Sequence, residues 1–153
     1  MVGALNQASA IKKILVGLDG SPQGSSAARV ATRIAKRTGA DLTLLHILPL
    51  PVAMIGGEPY PLSEEEVART RRAGEKLLEE EAGRAEAAGV RAKKALLERR
   101  DSVVKAILDY AEKQEIDLIV VGTRGLGGLK SALLGSVASG LAEYSHCSVL
   151  VVR

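Results

Sequence analysis

Phenylalanine and tryptophan are absent from this chain, and tyrosine occurs only three times. A core must therefore be assembled from valine, isoleucine, leucine and alanine. The same shortage leaves no aromatic platform on which single-stranded nucleic acid could stack. Cys147 is the only cysteine, so no intrachain disulfide can form, which fits a reducing compartment. No stretch stays apolar for the ~18 residues that a membrane span needs. Residues 1–10 lack the basic start and apolar run of a secretory signal. A strong charge bias is missing too. The 21 basic and 18 acidic residues leave a formal net charge of +3, and the signs interleave as on a solvated surface. These absences point to a cytoplasmic protein with neither a membrane nor a nucleic acid as partner.

What is present suits one domain. At 153 residues the chain can bury about 70% of its unfolded surface, so it needs no disulfide or metal staple. Residues 1–10 are weakly patterned and read as a loose arm, leaving a domain over 11–153. Residues 13–19, KILVGLD, form a short apolar run of the buried-strand type. Ser21 and Pro22 suit a helix start. Ala27, Ala31, Ile34 and Ala35 then share one face up to Arg37, and Gly39 stops the helix. Residues 42–48, LTLLHIL, read as a second strand. From Pro49 to Pro61, four prolines and two glycines predict a loop without regular structure. Ser63 and Glu66 match a capping box for a helix reaching Ala88. Residues 91–98 are a weaker strand, suited to an edge.

Asp101 or Ser102 can cap a third helix with Val103, Val104, Ile107, Leu108 and Ala111 inward. Residues 116–121, IDLIVV, are the clearest strand. A short helix follows over 136–144, then a last strand over 149–152. Alternation of apolar strands with helices predicts an α/β fold: a single-domain, doubly wound parallel sheet with helices on both faces. Ligands of such sheets sit beyond the strand carboxyl ends where strand order reverses. The ends at Asp19 and Gly122 are the candidates.

The segment after the fourth strand, GTRGLGGLKSALLGSVA over 122–138, carries the chemistry. Gly122, Gly125, Gly127, Gly128 and Gly135 fall within it. Without a Cβ, a backbone can approach a bulky anion, and successive N–H groups can form an anion-binding hollow. Ser136 opens a helix whose first amides suit a phosphate. Arg124 and Lys130 add positive charge. Two standard motifs fail. A P-loop requires Gly before Lys-Ser, but Lys130-Ser131 follows Leu129. The dinucleotide fingerprint would need a glycine at 130.

The spacing Gly122, two residues, Gly125, nine residues, Gly135-Ser136 resembles the ATP-binding signature of the universal stress protein family, G-x2-G-x9-G-S/T. The resemblance runs over about residues 11–153, through KKILVGLDGS, ADLTLLHILP, IDLIVVGTRG and CSVLVVR. It implies five parallel strands in order 3-2-1-4-5, as in the adenine nucleotide alpha hydrolase-like fold, with ATP (or ADP or AMP) at the carboxyl ends of strands one and four. Carried over by motif, Gly122, Gly125, Gly135, Ser136 and Val137 contact phosphates and ribose. Gly17 and Asp19 lie against ribose and adenine, and Leu42 helps to form the adenine pocket. Asp19 can independently accept from ribose hydroxyls or ligate Mg²⁺ or Mn²⁺. The resemblance also implies a homodimer in which the strand 149–152 pairs with its copy; burial of that apolar edge under the arm 1–10 is the alternative.

Two positions depart from the family. Cys147 is followed by Ser148 where many members have proline, and charged residues at Arg100-Asp101 replace a glycine common before the third helix. Neither lies in the nucleotide motif. His46, His146 and Cys147 have no partners at triad or zinc spacing and read as structural. The expected function is an ATP-binding, dimeric signalling or stress-response module with an unidentified protein partner. The alternative is a slow Mg²⁺-dependent ATPase or phosphotransferase at the same site, with Asp19 and a metal ion as its only plausible catalytic arrangement and Arg124 as its nearest arginine finger. A module that binds no nucleotide is disfavoured by the intact glycine motif.

Overall fold

The computed structural model describes residues 10–49, 52–55, 58–99, 101–124 and 134–153. In chain order the elements are β1 (Lys13–Leu18), α1 (Pro22–Thr38), β2 (Asp41–Pro49), β3 (Val52–Ile55), β4 (Glu58–Pro61), α2 (Glu64–Ala87), β5 (Ala92–Arg99), α3 (Val103–Lys113), β6 (Leu118–Gly122), α4 (Ser136–Tyr144) and β7 (Ser148–Val152). The main sheet has five strands in the order β5-β2-β1-β6-β7, and every pairing in it is parallel. Numbered within the sheet, that is 3-2-1-4-5, as expected. Strand order reverses between β1 and β6, which opens a crevice beyond their carboxyl ends.

Strand side chains alternate between faces, so each apolar run feeds two cores. Ile14, Val16, Leu42, Leu44, Leu118 and Val120 meet Ala27, Ala31, Leu78 and Ala85 of α1 and α2. Leu15, Leu45, Ile47, Ile119 and Val121 meet Ala106, Ile107, Ala111, Ala138 and Leu141 of α3 and α4. With no large aromatics available, α1 presents alanines, which let it lie close to the sheet. Ile14, Leu15, Leu42, Leu44, Leu45, Ile119 and Leu141 are fully buried, each stabilising by about 1.5–3 kcal/mol.

Within 49–61, where the prolines predict an irregular loop, the described residues 52–55 and 58–61 form strands instead. β3 and β4 pair antiparallel, with Val52 opposite Pro61 and Ile55 opposite Glu58. Proline is excluded from central strands because it lacks an N–H, but in a two-stranded sheet both strands are edges. β6 begins at Leu118, later than the apolar pattern suggests. Asp117 is occupied in holding the start of β1, its Oδ2 accepting the N–H groups of Lys12 and Lys13 at 2.9 Å each.

Candidate functional site

The turn after β1 is fixed by its own polar atoms. Asp19 Oδ1 accepts the Ser21 N–H at 2.9 Å. Ser21 Oγ accepts the Gly24 N–H at 3.0 Å and caps α1. Gly20 sits at φ +84°, where a side chain would be strained. A Cβ on Gly24 would stand 3.1 Å from Asp19 Oδ1. The sequence DGSPQG thus holds one carboxylate at the mouth of the crevice. Gly17 lies just below it. Its missing side chain leaves room for Val121 Cγ1 and Ile107 Cδ1, which a Cβ would meet at 3.2 and 3.4 Å.

Leu42 is a correction. It pairs with Ile14, near the start of β1, and is buried in the core. At about 3.3 Å per residue along a strand, it stands well below the crevice and cannot line a pocket there. The register pairs Leu18 with His46, so Ile47, buried on the α3 and α4 side, is the residue of β2 level with Asp19. His46 itself is structural: its Nδ1–H donates to the Leu18 carbonyl at 2.7 Å.

On β6, Gly122 performs a role that the glycine motif does not announce. A Cβ there would meet Gln23 Cβ at 2.7 Å and the Gln23 carbonyl carbon at 2.8 Å. Its bareness admits the first turn of α1. The Thr123 N–H then donates to the Val152 carbonyl at 2.8 Å, and the Thr123 carbonyl accepts the Gly135 N–H at 2.5 Å. That last bond brings the two ends of the glycine-rich segment together and uses the Gly135 amide internally. Gly135 is the N-cap of α4 and supplies no side-chain cap. The Ser139 N–H is the first to bond back, to the Gly135 carbonyl. The amides of Ser136, Val137 and Ala138 therefore have no acceptor within the helix. Arg124, directly after Thr123, is half-buried, and among the described residues it lines a hollow of about 200 Å³ with Gln23, Thr123 and Arg153. Gly125, Gly127, Gly128 and Lys130 lie outside the described residues, as does the arm 1–9.

Asp19, Gly122, Arg124, Gly135, Ser136 and Val137 thus gather at one end of β1 and β6, with Gly17 beneath, and Leu42 does not. Among the described residues no group of three or more His, Cys, Asp or Glu side chains could hold a metal ion. A cation bound by Asp19 would take its other ligands from a phosphate and water, which suits Mg²⁺.

A model of the universal stress protein family matches residues 10–153. The chain belongs to that family. It is 33% identical over 147 residues to the universal stress protein YxiE of Bacillus subtilis, covering 92% of this chain and 98% of that protein. Its fold superposes on universal stress protein UspA from Lactobacillus plantarum with a TM-score of 0.78 at 23% identity, covering 94% and 98% of the two chains. It also superposes on a universal stress protein in complex with cAMP, with a TM-score of 0.71 at 27% identity, covering 95% and 98%.

In this universal stress protein the two departures from the family pattern have local solutions. Before β7, Ser145 Oγ accepts the Cys147 N–H at 3.2 Å, forming a turn without the proline. Before α3, Arg99 forks onto Asp101, with Nε to Oδ1 at 2.7 Å and Nη2 to Oδ2 at 2.5 Å, and reaches Asp109 at 3.1 Å. The Arg99 hydrogen bonds hold the Asp101 carboxyl below the usual range. Those of Lys105 and then Arg99 do the same for Asp109.

Proposed function

We propose that this universal stress protein binds an adenine nucleotide, ATP with Mg²⁺ or Mn²⁺, beyond β1 and β6, and serves as a cytoplasmic, dimeric, nucleotide-dependent stress-response module. The observation that carries the reading is the start of α4. Three amides without helical acceptors stand there uncapped, joined to the end of β6 through the Gly135–Thr123 hydrogen bond. Such amides, with the helix dipole behind them, favour phosphate oxygens. Asp19, across the crevice, is suited to ribose hydroxyls or to a phosphate-bound cation. Gly17 and Ile47 would form the adenine wall. The cAMP complex of a relative at 27% identity supports an adenine nucleotide as the ligand class.

The reading leaves room for an unidentified protein partner that responds to occupancy. No described helix is long and apolar enough to cross a membrane. The decisive experiment denatures the purified protein, identifies any released nucleotide by mass, and titrates the emptied protein with ATP, ADP and AMP in a calorimeter with and without Mg²⁺. Saturable adenine-nucleotide binding is expected, with Asp19→Asn weakening it. A protein that carries none and binds none overturns the reading.

A further inference from the structure

The interleaving of charge signs along the chain stops at α1. That helix carries Arg29, Arg33, Lys36 and Arg37 and no acidic residue, so the +3 of the whole chain becomes −1 without it. At about 3.6 residues per turn these four positions fall within an arc of about 100°. The arc lies opposite Ala27, Ala31 and Ala35, which pack on the sheet, and all four residues are exposed. Local roles account for part of this. Lys36 and Arg37 stand in the last turn, where the helix dipole favours cations, and the Lys36 ammonium lies beside Gly89. Arg29 and Arg33 precede that turn and gain nothing from it. Arg29, Arg33 and Arg37 repeat at i, i+4 and i+8, a spacing at which like charges repel. Among the described residues none of the three has a carboxylate within ion-pair distance. Arg29 Nη2 donates to Ser26 Oγ at 2.9 Å, a neutral partner that leaves its charge uncompensated.

We infer that this row of arginines is a docking surface for an acidic segment of a partner protein. Planar guanidinium forks suit carboxylates. Successive arginines of the row rise by about 6 Å along the helix. Alternate residues of an extended chain are about 6.6 Å apart, so a strand with an acidic residue at every second position matches the row. The neighbouring helix narrows the choice of anion. Glu81 of α2 accepts from Ser25 Oγ at 2.5 Å, which sets α2 beside α1, and α2 has eight glutamates to five basic residues. Duplex DNA or an anionic bilayer laid across both helices meets those carboxylates, whereas a narrow peptide along α1 avoids them. A bilayer also needs an apolar face to bury, and that of α1 is spent on the sheet. A second copy of this chain is a poor source of carboxylates, because α2 pairs them with its own cations and with those of β5: Glu65 with Arg69, Glu80 with Lys76 and Glu79 with Lys94. The inference is independent of nucleotide binding.

The test follows the fluorescence anisotropy of a labelled peptide of alternating glutamate and serine, with a glutamine–serine peptide as its uncharged counterpart, titrated with the full chain. The row variant is Arg29→Gln/Arg33→Gln/Arg37→Gln. The control, Arg72→Gln/Lys93→Gln/Lys113→Gln, removes the same charge from exposed positions on α2, β5 and α3. Wild type is expected to bind the glutamate peptide saturably and not the glutamine one, and raised salt should weaken the binding. The row variant should weaken it by about tenfold, the effect of losing three exposed ion pairs, and the control by less than about twofold. Circular dichroism checks each fold; should the row variant unfold, Arg33→Glu alone carries the same direction of change. Equal weakening in both triple variants traces the binding to net charge and overturns the proposal, as does a glutamate peptide that fails to bind wild type. Duplex DNA or phosphatidylserine vesicles that bind more tightly than the peptide and are lost in the row variant assign the arginines to that polyanion and also overturn it. Removing like-charge repulsion should leave the row variant melting no lower than wild type; a clear drop assigns the arginines to the fold instead.

Discussion

An alanine at position 122 would bring its Cβ to 2.7 Å from Gln23 Cβ and 3.0 Å from the Gln23 carbonyl oxygen. Backbone cannot yield as a flexible side-chain tip can. Gly122→Ala is therefore expected to destabilise the fold by about 1–3 kcal/mol, the usual cost of overpacking, and to weaken nucleotide binding by displacing the turn that holds Asp19. Urea denaturation and calorimetry on the same preparation check both, and an unchanged denaturation midpoint would contradict the packing role. The sequence marks Gly122 as a place where something comes close, without saying what: the missing Cβ serves helix α1. Leu42 and Ile47 pose the same problem. Both lie in the one apolar run, LTLLHIL, and the run is legible as a buried strand. Which of its residues reaches the crevice depends on register with β1, and that is set by tertiary packing.

Caps are the elements' most legible feature, because their chemistry is local. Ser63 and Glu66 form the capping box that their spacing predicts, with the Glu66 N–H on Ser63 Oγ and the Ser63 N–H on Glu66 Oε2. The backbone hydrogen bond from Ser63, reinforced by its hydroxyl, holds the Glu66 carboxyl below its ordinary value. Ser21 is likewise the cap that its position before Pro22 suggests. Ser21→Ala should cost about 1 kcal/mol, as cap deletions do, and should loosen Asp19 as well; thermal melts and ATP titration read the two effects separately. The hairpin β3–β4 was illegible, because proline content argues against central strands but not against a pair of edges. Acid stability belongs to this scale too. Asp101 and Asp109 are lowered in the folded state, so their contribution is complete above the unfolded value of about 3.9. It is lost as pH falls through the lowered folded values. Denaturation midpoints should therefore drop below about pH 4, and less steeply in Asp101→Asn/Asp109→Asn than in wild type.

At the scale of the molecule, the alternation of strands and helices prescribes the layered sheet, and the absence of aromatics prescribes its alanine-faced helices. Where β7 ends up follows from neither. It lies at the sheet edge, paired on one side with β6, and Val149, Leu150, Val151 and Val152 stay only half-buried. Half of such a strand's backbone groups point away from its neighbour and invite another strand. A second copy pairing antiparallel would satisfy them by an isologous contact. Leu150 is the central residue of β7, so a twofold axis there sets it close to its own copy, and like charges directly opposite are destabilising. Sedimentation equilibrium is expected to give a dimer for wild type and a monomer for Leu150→Lys, with circular dichroism confirming that the variant stays folded. A wild-type chain that sediments as a monomer would leave the β7 edge to another partner and remove the dimer from the proposed function.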